Sequence, residues 1–370
     1  MRYFIVAGEA SGDLHASNLM KAIIQLDEQA TFAFVGGEKM AEVCKKTPSV
    51  HYRNIAYMGI INVLKHLPAI HSAARKMQEA MLHFCPDHVI AIDASSFCMR
   101  YLLPFAEEHF PTAIRSYYIL PKVWSSRKGR IKKLHRLCHN LFAIFPFEED
   151  FFAREGAVAT FVGNPCVEAV GSYSDTHTTK EKPKTIALLP GSRLQEIREN
   201  LPTMIAAVAT YFPQYQASIA MAPGIAKEFY TSFIPKDKNI LLSNTSTYAL
   251  LSTAQMAVIT SGTATLEAAL IGTPTVAVYR SKGWFIINWL FRHMLPIRYI
   301  TPVNLIANER VIPELLSAEA TAANIASALQ EVTLHALTVK RGYTKIRELL
   351  QEKKASIEVA QALQRQSPHQ

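Results

Sequence analysis

The sequence is short of the features that would settle its class at a glance, and each shortage excludes something. Its five cysteines, Cys44, Cys85, Cys98, Cys138 and Cys166, are scattered with no Cys-x-x-Cys pair. Such spacing fits a reducing compartment and argues against a zinc site. No apolar run reaches the length of a membrane span. The apolar start, Tyr3 to Ala7, is short, and Glu9 and Asp13 follow at once, so no secretory leader is expected. The first glycine turn reads Gly8-x-x-x-Gly12, which is not the dinucleotide fingerprint and argues against NAD. The basic run Arg127 to Arg136 has no interleaved aromatics, which makes single-stranded nucleic acid a weak partner. Low-complexity tracts are absent too.

What is there is enough apolar material for two cores. The chain has 370 residues, 49% of them hydrophobic, and a formal net charge of +9. Length suggests two domains, and the charge suggests an anionic partner. Strands are expected at Arg2–Ala7, Thr31–Val35, His88–Ile92, Ala113–Ile119, Asn140–Phe145 and Ala157–Val162, alternating with helical connections such as Leu14–Leu26. That alternation predicts a parallel sheet. Residues 171–184 are polar and turn-prone, the composition of a linker. A second set of strands follows at Thr185–Leu189, Ala217–Met221, Asn239–Leu242, Met256–Ile259 and Thr275–Val278. The chain from Ala318 reads as helix, with residues 346–370 as a tail packing back toward the first domain. The expected organisation is a first domain at 1–170, a linker at 171–184, a second domain at 185–345 and the tail. Two such α/β halves, facing a cleft, present ligands at the carboxyl ends of their strands.

The residues at those ends carry the chemistry. Met256–Ile259 leads into Ser261-Gly262-Thr263 and then into good helix formers, giving strand, tight turn and helix. The first N–H groups of a helix lack internal partners and carry positive partial charge, which suits a diphosphate. Glu267 lies one turn further on the same face, where a carboxylate can accept the two hydroxyls of a ribose. An ordinary strand–helix junction with a surface Glu fits the same residues. Glu9 with Ser11, Asp93, and Ser192 with Arg193 occupy equivalent positions. For Asp93 the alternatives are an Asx-turn and a catalytic base; for Arg193, a salt-bridge partner and an anion ligand. The apolar stretch Tyr57–Pro68 is either core helix or a greasy lobe. Trp284–Phe291, flanked by Lys282, Arg292 and Arg298, is either a buried helix or a bilayer-interface segment. Arg127–Arg136 is either a solvated helix face or a contact for anionic head groups or phosphate.

In order along nearly the whole chain, Ala7-Gly8-Glu9-Ala10-Ser11-Gly12-Asp13, Tyr57-Met58-Gly59, Ile92-Asp93, Pro121-Lys122-Val123-Trp124, Pro146-Phe147-Glu148, Val162-Gly163-Asn164-Pro165, Leu189-Pro190-Gly191-Ser192-Arg193, Ser261-Gly262-Thr263-Ala264, Asn304-Leu305-Ile306-Ala307 and Pro313-Glu314-Leu315-Leu316 resemble the motifs of the lipid-A-disaccharide synthase family. The resemblance implies a GT-B fold of two Rossmann-like domains and an inverting glycosyltransferase. Such an enzyme joins UDP-2,3-diacylglucosamine to 2,3-diacylglucosamine 1-phosphate (lipid X), releasing UDP, at the cytoplasmic face of the inner membrane. It implies Asp93 as the base for the acceptor hydroxyl, with Glu9 and Ser11 orienting the acceptor. Ser192, Arg193, Ser261, Gly262, Thr263 and Glu267 would hold the donor, and Asn304 would contact substrate or stabilise the site. No Asp-x-Asp pair occurs, so no metal clamp on the diphosphate and no cofactor are expected; fixed protein charge must replace it. No nucleic acid is expected as a partner, and the reading admits a homodimer.

Several positions depart from the family pattern. Ser95, Ser96, Phe97 and Cys98 follow Asp93 where the family commonly has Pro, a small or acidic residue, Phe and Asn. Leu120 stands for a Ser, Trp124-Ser125-Ser126 for Trp-Ala-Trp, Asn62 for a Glu and Ser317 for a Gln. Most lie in the first domain, so ordinary donor binding and a shifted acceptor preference are expected. The rivals are another GT-B UDP-sugar enzyme with a different acceptor, a catalytically altered member of the family, and a non-catalytic lipid- or nucleic-acid-binding protein.

Overall fold

A computed structural model describes residues 1–55, 66–122, 129–173, 183–280, 298–351 and 353–366. The stretches 57–65, 124–126 and 284–291 lie outside the described residues, and with them most of the apolar stretch Tyr57–Pro68 and all of Trp284–Phe291. The chain forms two compact units, Met1–Pro165 with Lys353–Gln370, and Cys166–Glu352.

The first unit holds a seven-stranded parallel sheet of β1 (Arg2–Ala7), β2 (Thr31–Gly36), β3 (Val50–His51), β4 (His88–Ile92), β5 (Ile114–Tyr118), β6 (Asn140–Ala143) and β7 (Thr160–Phe161). Its order is β3-β2-β1-β4-β5-β6-β7. The central strands read almost without polar residues because helices cover both faces of the sheet. Phe4, Val6, Val89 and Ala91 pack with Met77 and Met81 of the helix Leu67–Phe84 and with Leu102 and Leu103. The helix Ala10–Leu26 packs beside the C-terminal helix Ala355–Gln364, whose Val359 and Leu363 are fully buried. The basic run becomes the helix Arg130–Leu137, which buries Ile131, Leu134 and Leu137 and exposes Lys132, Lys133 and Arg136.

The second unit holds six parallel strands: β8 (Thr185–Leu189), β9 (Gln216–Ile219), β10 (Ile240–Leu242), β11 (Met256–Thr260), β12 (Thr275–Tyr279) and β13 (Glu314–Leu316). Their order is β10-β9-β8-β11-β12-β13.

Where the elements differ from expectation, local hydrogen bonding is the reason. Asn140–Phe145 stops at Ala143 because the N–H groups of Ile144 and Phe145 both donate to Glu148, at 3.1 Å, instead of to a ladder. Ala157–Val162 shortens to two residues, since the Ala157 N–H closes the preceding helix on Phe152. The glycine turn at 8–13 is mostly helix: Glu9 is extended, helix begins at Ala10, and the Asp13 N–H donates to the Glu9 carbonyl. Sequence reading missed β3 and β13, two short edge strands with polar content.

Candidate active site

In each sheet one adjacent pair of strands marks where the order reverses, and ligands of such sheets bind beyond the carboxyl ends of that pair. In the first unit the pair is β1 and β4, in register with Ala7 beside Ile92. Gly8-Glu9 and Asp93-Ala94 therefore emerge side by side. Gly8 is required there: a Cβ on it would lie 2.2 Å from the Ala94 Cβ. The absent side chain lets the Glu9 turn close onto Asp93. Asp93 and Ala94 both have positive φ, 52° and 44°. Two successive left-handed non-glycine residues are strained. They are held by the Tyr117 hydroxyl, which donates to the Asp93 carbonyl, and by the Asp93 N–H on the Tyr118 carbonyl.

Glu9 and Asp93 form a carboxyl pair. Burial first, and then the Glu9 charge and hydrogen bond, raise the Asp93 pKa to about 6 against the opposing Lys122 charge. Ser11 Oγ donates to Glu9 Oε1 at 2.8 Å. Glu9 and Ser11 are thus brought to Asp93, whose carboxylate also accepts the Ala94 N–H. A carboxylate ionising near neutrality, in strained backbone at the switch point, can accept a proton from a hydroxyl.

Asp13 serves the scaffold. It is buried, and its carboxylate accepts the N–H groups of Gly37 (2.7 Å), Lys39 (3.0 Å) and Met40 (3.3 Å), capping the next helix. The Pro146-Phe147-Glu148 and Gly163-Asn164-Pro165 motifs are also structural. Glu148 and Asn164 both bind the end of β6, Asn164 through the Ile144 carbonyl at 3.0 Å.

In the second unit the reversing pair is β8 and β11, with Leu189 beside Ile259. The helix Thr263–Ile271 starts at Gly262 with no side-chain cap. A Cβ on Gly262 would meet nothing closer than the Thr260 carbonyl at 3.9 Å, so space is open above the turn. Ser261 and Gly262 are half-buried and Thr263 is exposed. Glu267 is half-buried on the same helix, and its Oε1 accepts the Tyr248 hydroxyl at 3.0 Å. Burial raises the Glu267 pKa, and the Tyr248 hydrogen bond opposes this. Tyr248 is itself packed edge-on against Tyr173, ring centroids 5.9 Å apart. At the β8 end, Gly191 has φ 121°, and a Cβ there would lie 2.6 Å from Glu196. Glu196 accepts the Ser192 N–H at 3.0 Å and Arg193 Nη1 at 2.7 Å. The salt-bridge reading of Arg193 is therefore realised, although the side chain stays 43% exposed.

Of the two expectations for Asn304, contact with substrate or stabilisation of the site, its bonds match the second. It is fully buried, and its amide donates to the Ile312 carbonyl and Glu314 while accepting the Val311 and Ile312 N–H groups, all within 3.0 Å. Its bonding capacity is used up, so it positions a loop and reaches no ligand. Glu314 completes that latch on the Ile300 and Thr301 N–H groups and the Thr301 hydroxyl. Sequence reading gave no role to Tyr248, and named Lys122 and Arg130 only within the Pro-Lys motif and the basic run Arg127–Arg136.

The arrangement has known relatives. The family model described as lipid-A-disaccharide synthetase matches residues 3–366. The chain is 36% identical over 343 residues to the lipid-A-disaccharide synthase of Myxococcus xanthus, covering 90% of this chain and 88% of that one. It is 30% identical over 362 residues to that of Geobacter metallireducens, covering 94% and 93%. Among solved structures, the UDP-GlcNAc 2-epimerase of Methanocaldococcus jannaschii, in complex with UDP-GlcNAc and UDP, superposes with a TM-score of 0.65 at 12% identity, covering 99% of this chain and 100% of that one. The glycotransferase of kitacinnamycin superposes at 0.63 and 12%. These likenesses place both sheets in the GT-B fold. With a family match across nearly its whole length, this chain belongs to the lipid-A-disaccharide synthase family, glycosyltransferases of lipid A biosynthesis.

Proposed function

We propose that the protein transfers diacylglucosamine from UDP-2,3-diacylglucosamine to the 6-hydroxyl of lipid X with inversion, and that Asp93 is the base. The observation that carries this is the Asp93–Glu9 pair beyond β1 and β4. As the hydroxyl attacks the anomeric carbon it loses its proton, and Asp93, ionised above about pH 6, accepts it. Glu9, tied to Ser11, orients Asp93 through its hydrogen bond to it.

The leaving diphosphate gains charge during transfer. Helix N–H groups at Gly262–Ala264 face open space and meet that charge without reorganising. Arg193 adds its guanidinium. Its exposed pairing with Glu196 is worth about 0–1 kcal/mol, less than the about 1.5–3 kcal/mol of a charge-assisted bond to phosphate, so the diphosphate can displace it. Glu267 accepts the ribose hydroxyls. No metal takes part, since this fixed charge does a metal's work. Among the described residues no helix is long and apolar enough to cross a membrane. Apolar acyl substrates nonetheless require the enzyme at a bilayer surface, and the basic face of Arg130–Leu137 suits anionic lipid there.

The test measures UDP release from the donor with and without lipid X, for the wild type and Asp93→Asn. Acceptor-dependent release that drops about 10²–10⁴-fold in the variant is expected. Release that survives substitution sinks Asp93 as the base; no release despite donor binding sinks the acceptor assignment.

A further inference from the structure

Arg130 is half-buried at the start of its helix, yet it turns away from the exposed basic face and toward the Asp93 loop. Its Nη1 donates to Ser95 Oγ at 3.2 Å and its Nη2 to Ser96 Oγ at 3.4 Å. The guanidinium is close enough to Tyr117 to act on its phenol, and Tyr117 in turn binds the Asp93 carbonyl. One fork thus lies across two consecutive hydroxyls, two and three residues beyond Asp93. A serine hydroxyl that accepts from arginine keeps its own hydrogen to donate. Two such hydroxyls and a guanidinium edge make a convergent donor set with one full positive charge, and Lys122 adds a second charge to the same loop region. A tetrahedral phosphate matches this set, because guanidinium binds phosphate through paired N–H groups.

Scale fits as well. Two residues of chain span at most about 7 Å, so Ser95 lies no further from Asp93 than the reach of one sugar ring and its substituents.

We propose that Arg130, Ser95 and Ser96 form a subsite for the anomeric phosphate of the acceptor, holding the sugar by its far end while its hydroxyl meets Asp93. This rests on the transferase reading above. The site takes a phosphate monoester on a glucosamine; a lipid head-group phosphate has the same chemistry, and the experiment separates the two.

Acceptor-dependent UDP release is measured in neutral detergent with lipid X and with the same diacylglucosamine lacking its phosphate. The variants are Arg130→Ala, Arg130→Lys and Ser95→Ala/Ser96→Ala. For Arg130→Ala the KM for lipid X rises about ten- to hundredfold. Its activity on the dephosphorylated acceptor falls far less than its activity on lipid X, so the preference for phosphate collapses. Arg130→Lys restores part of that preference, and the double serine variant falls between. Should Arg130→Ala fail to fold, the serine variant decides. An equal loss on both acceptors makes Arg130 merely structural and overturns the proposal, as does a wild type that uses both acceptors alike. A phosphate effect that appears only when anionic vesicles are added assigns the site to head groups and overturns it too. Absence of any acceptor-dependent release overturns the transferase reading itself, and the subsite with it.

Discussion

The carboxyl of Asp93 holds its proton to about pH 6 because burial and then the neighbouring Glu9 favour the neutral form. An unfolded chain releases that proton near pH 4. The folded state therefore binds it more tightly, and folding stability falls as pH rises from about 4 through about 6. Asp93→Asn removes this penalty. The variant should be inactive yet more stable than the wild type at pH 8, by roughly 2 kcal/mol in urea unfolding, with the gain vanishing at pH 4. Activity runs the other way: kcat/KM should rise with pH through an apparent pKa near 6 that belongs to the pair. Replacing Glu9 by Gln lowers that limb, and a limb that stays put means Glu9 does not set it. Two buried histidines, His15 and His88, whose pKa values burial lowers to about 4, shape the acid side of stability. His88 is fully buried, stacked on Tyr3 with ring centroids 4.9 Å apart, and neither of its ring nitrogens has a partner among the described residues. Burial lowers its pKa to about 4. A depressed folded-state pKa gives stability that is complete above the unfolded value near 6.5 and is lost as pH falls toward 4. His88→Phe should lessen the pH dependence of Tm between 6.5 and 4, His15 keeping the remainder; an unchanged slope places the acid sensitivity elsewhere.

Elements meet at Gly8 and Ala94. The register of β1 and β4 puts the two residues against each other, and only a missing Cβ allows the approach. Gly8→Ala should cost about 1–3 kcal/mol by overpacking and should reduce activity beyond its effect on stability, because the clash pushes Glu9 from Asp93. Ala94 sits at φ 44°, where glycine is at ease, so Ala94→Gly alone should cost little or even stabilise. The double variant should then regain activity relative to Gly8→Ala. If it does not, the contact is not what positions the pair. The two strand–turn–helix signatures were legible because runs such as His-Val-Ile-Ala-Ile and Met-Ala-Val-Ile-Thr are too apolar to lie anywhere but a covered sheet. β3 and β13 were not legible, since two- and three-residue edge strands carry no period. Asn304 was left between two roles because a buried amide that binds backbone on both sides looks, in sequence, like one that binds substrate.

On the scale of the molecule, the last helix completes the first unit from the far end of the chain. Gly163 lets the Lys353 backbone cross close by, a Cβ there lying 2.7 Å from the Lys353 carbonyl oxygen. Asn140 and Gln366 exchange amide hydrogen bonds at 2.6 and 2.9 Å. A chain ended before Ala355 loses the burial of Val359 and Leu363 against the first unit, about 3–6 kcal/mol. Its thermal unfolding should show the first unit melting earlier, with the second unit unchanged; a shift of both together would mean the two units unfold as one.

The sequence by itself determined the strand-rich α/β class, most central strands, both glycine turns and the family, because apolar run length, turn chemistry and motif order are local properties of the chain. Only the tertiary structure decided which turns meet. That β1 lies beside β4, and β8 beside β11, follows from pairing between strands more than sixty residues apart, which no local pattern records. From such packing come the Glu9–Asp93 pair across β1 and β4, the Tyr248 bond to Glu267 between neighbouring helices and the reach of Arg130 to Ser95. Each depends on a contact whose partner is distant in sequence, and burial and charge coupling arise only once the contact exists.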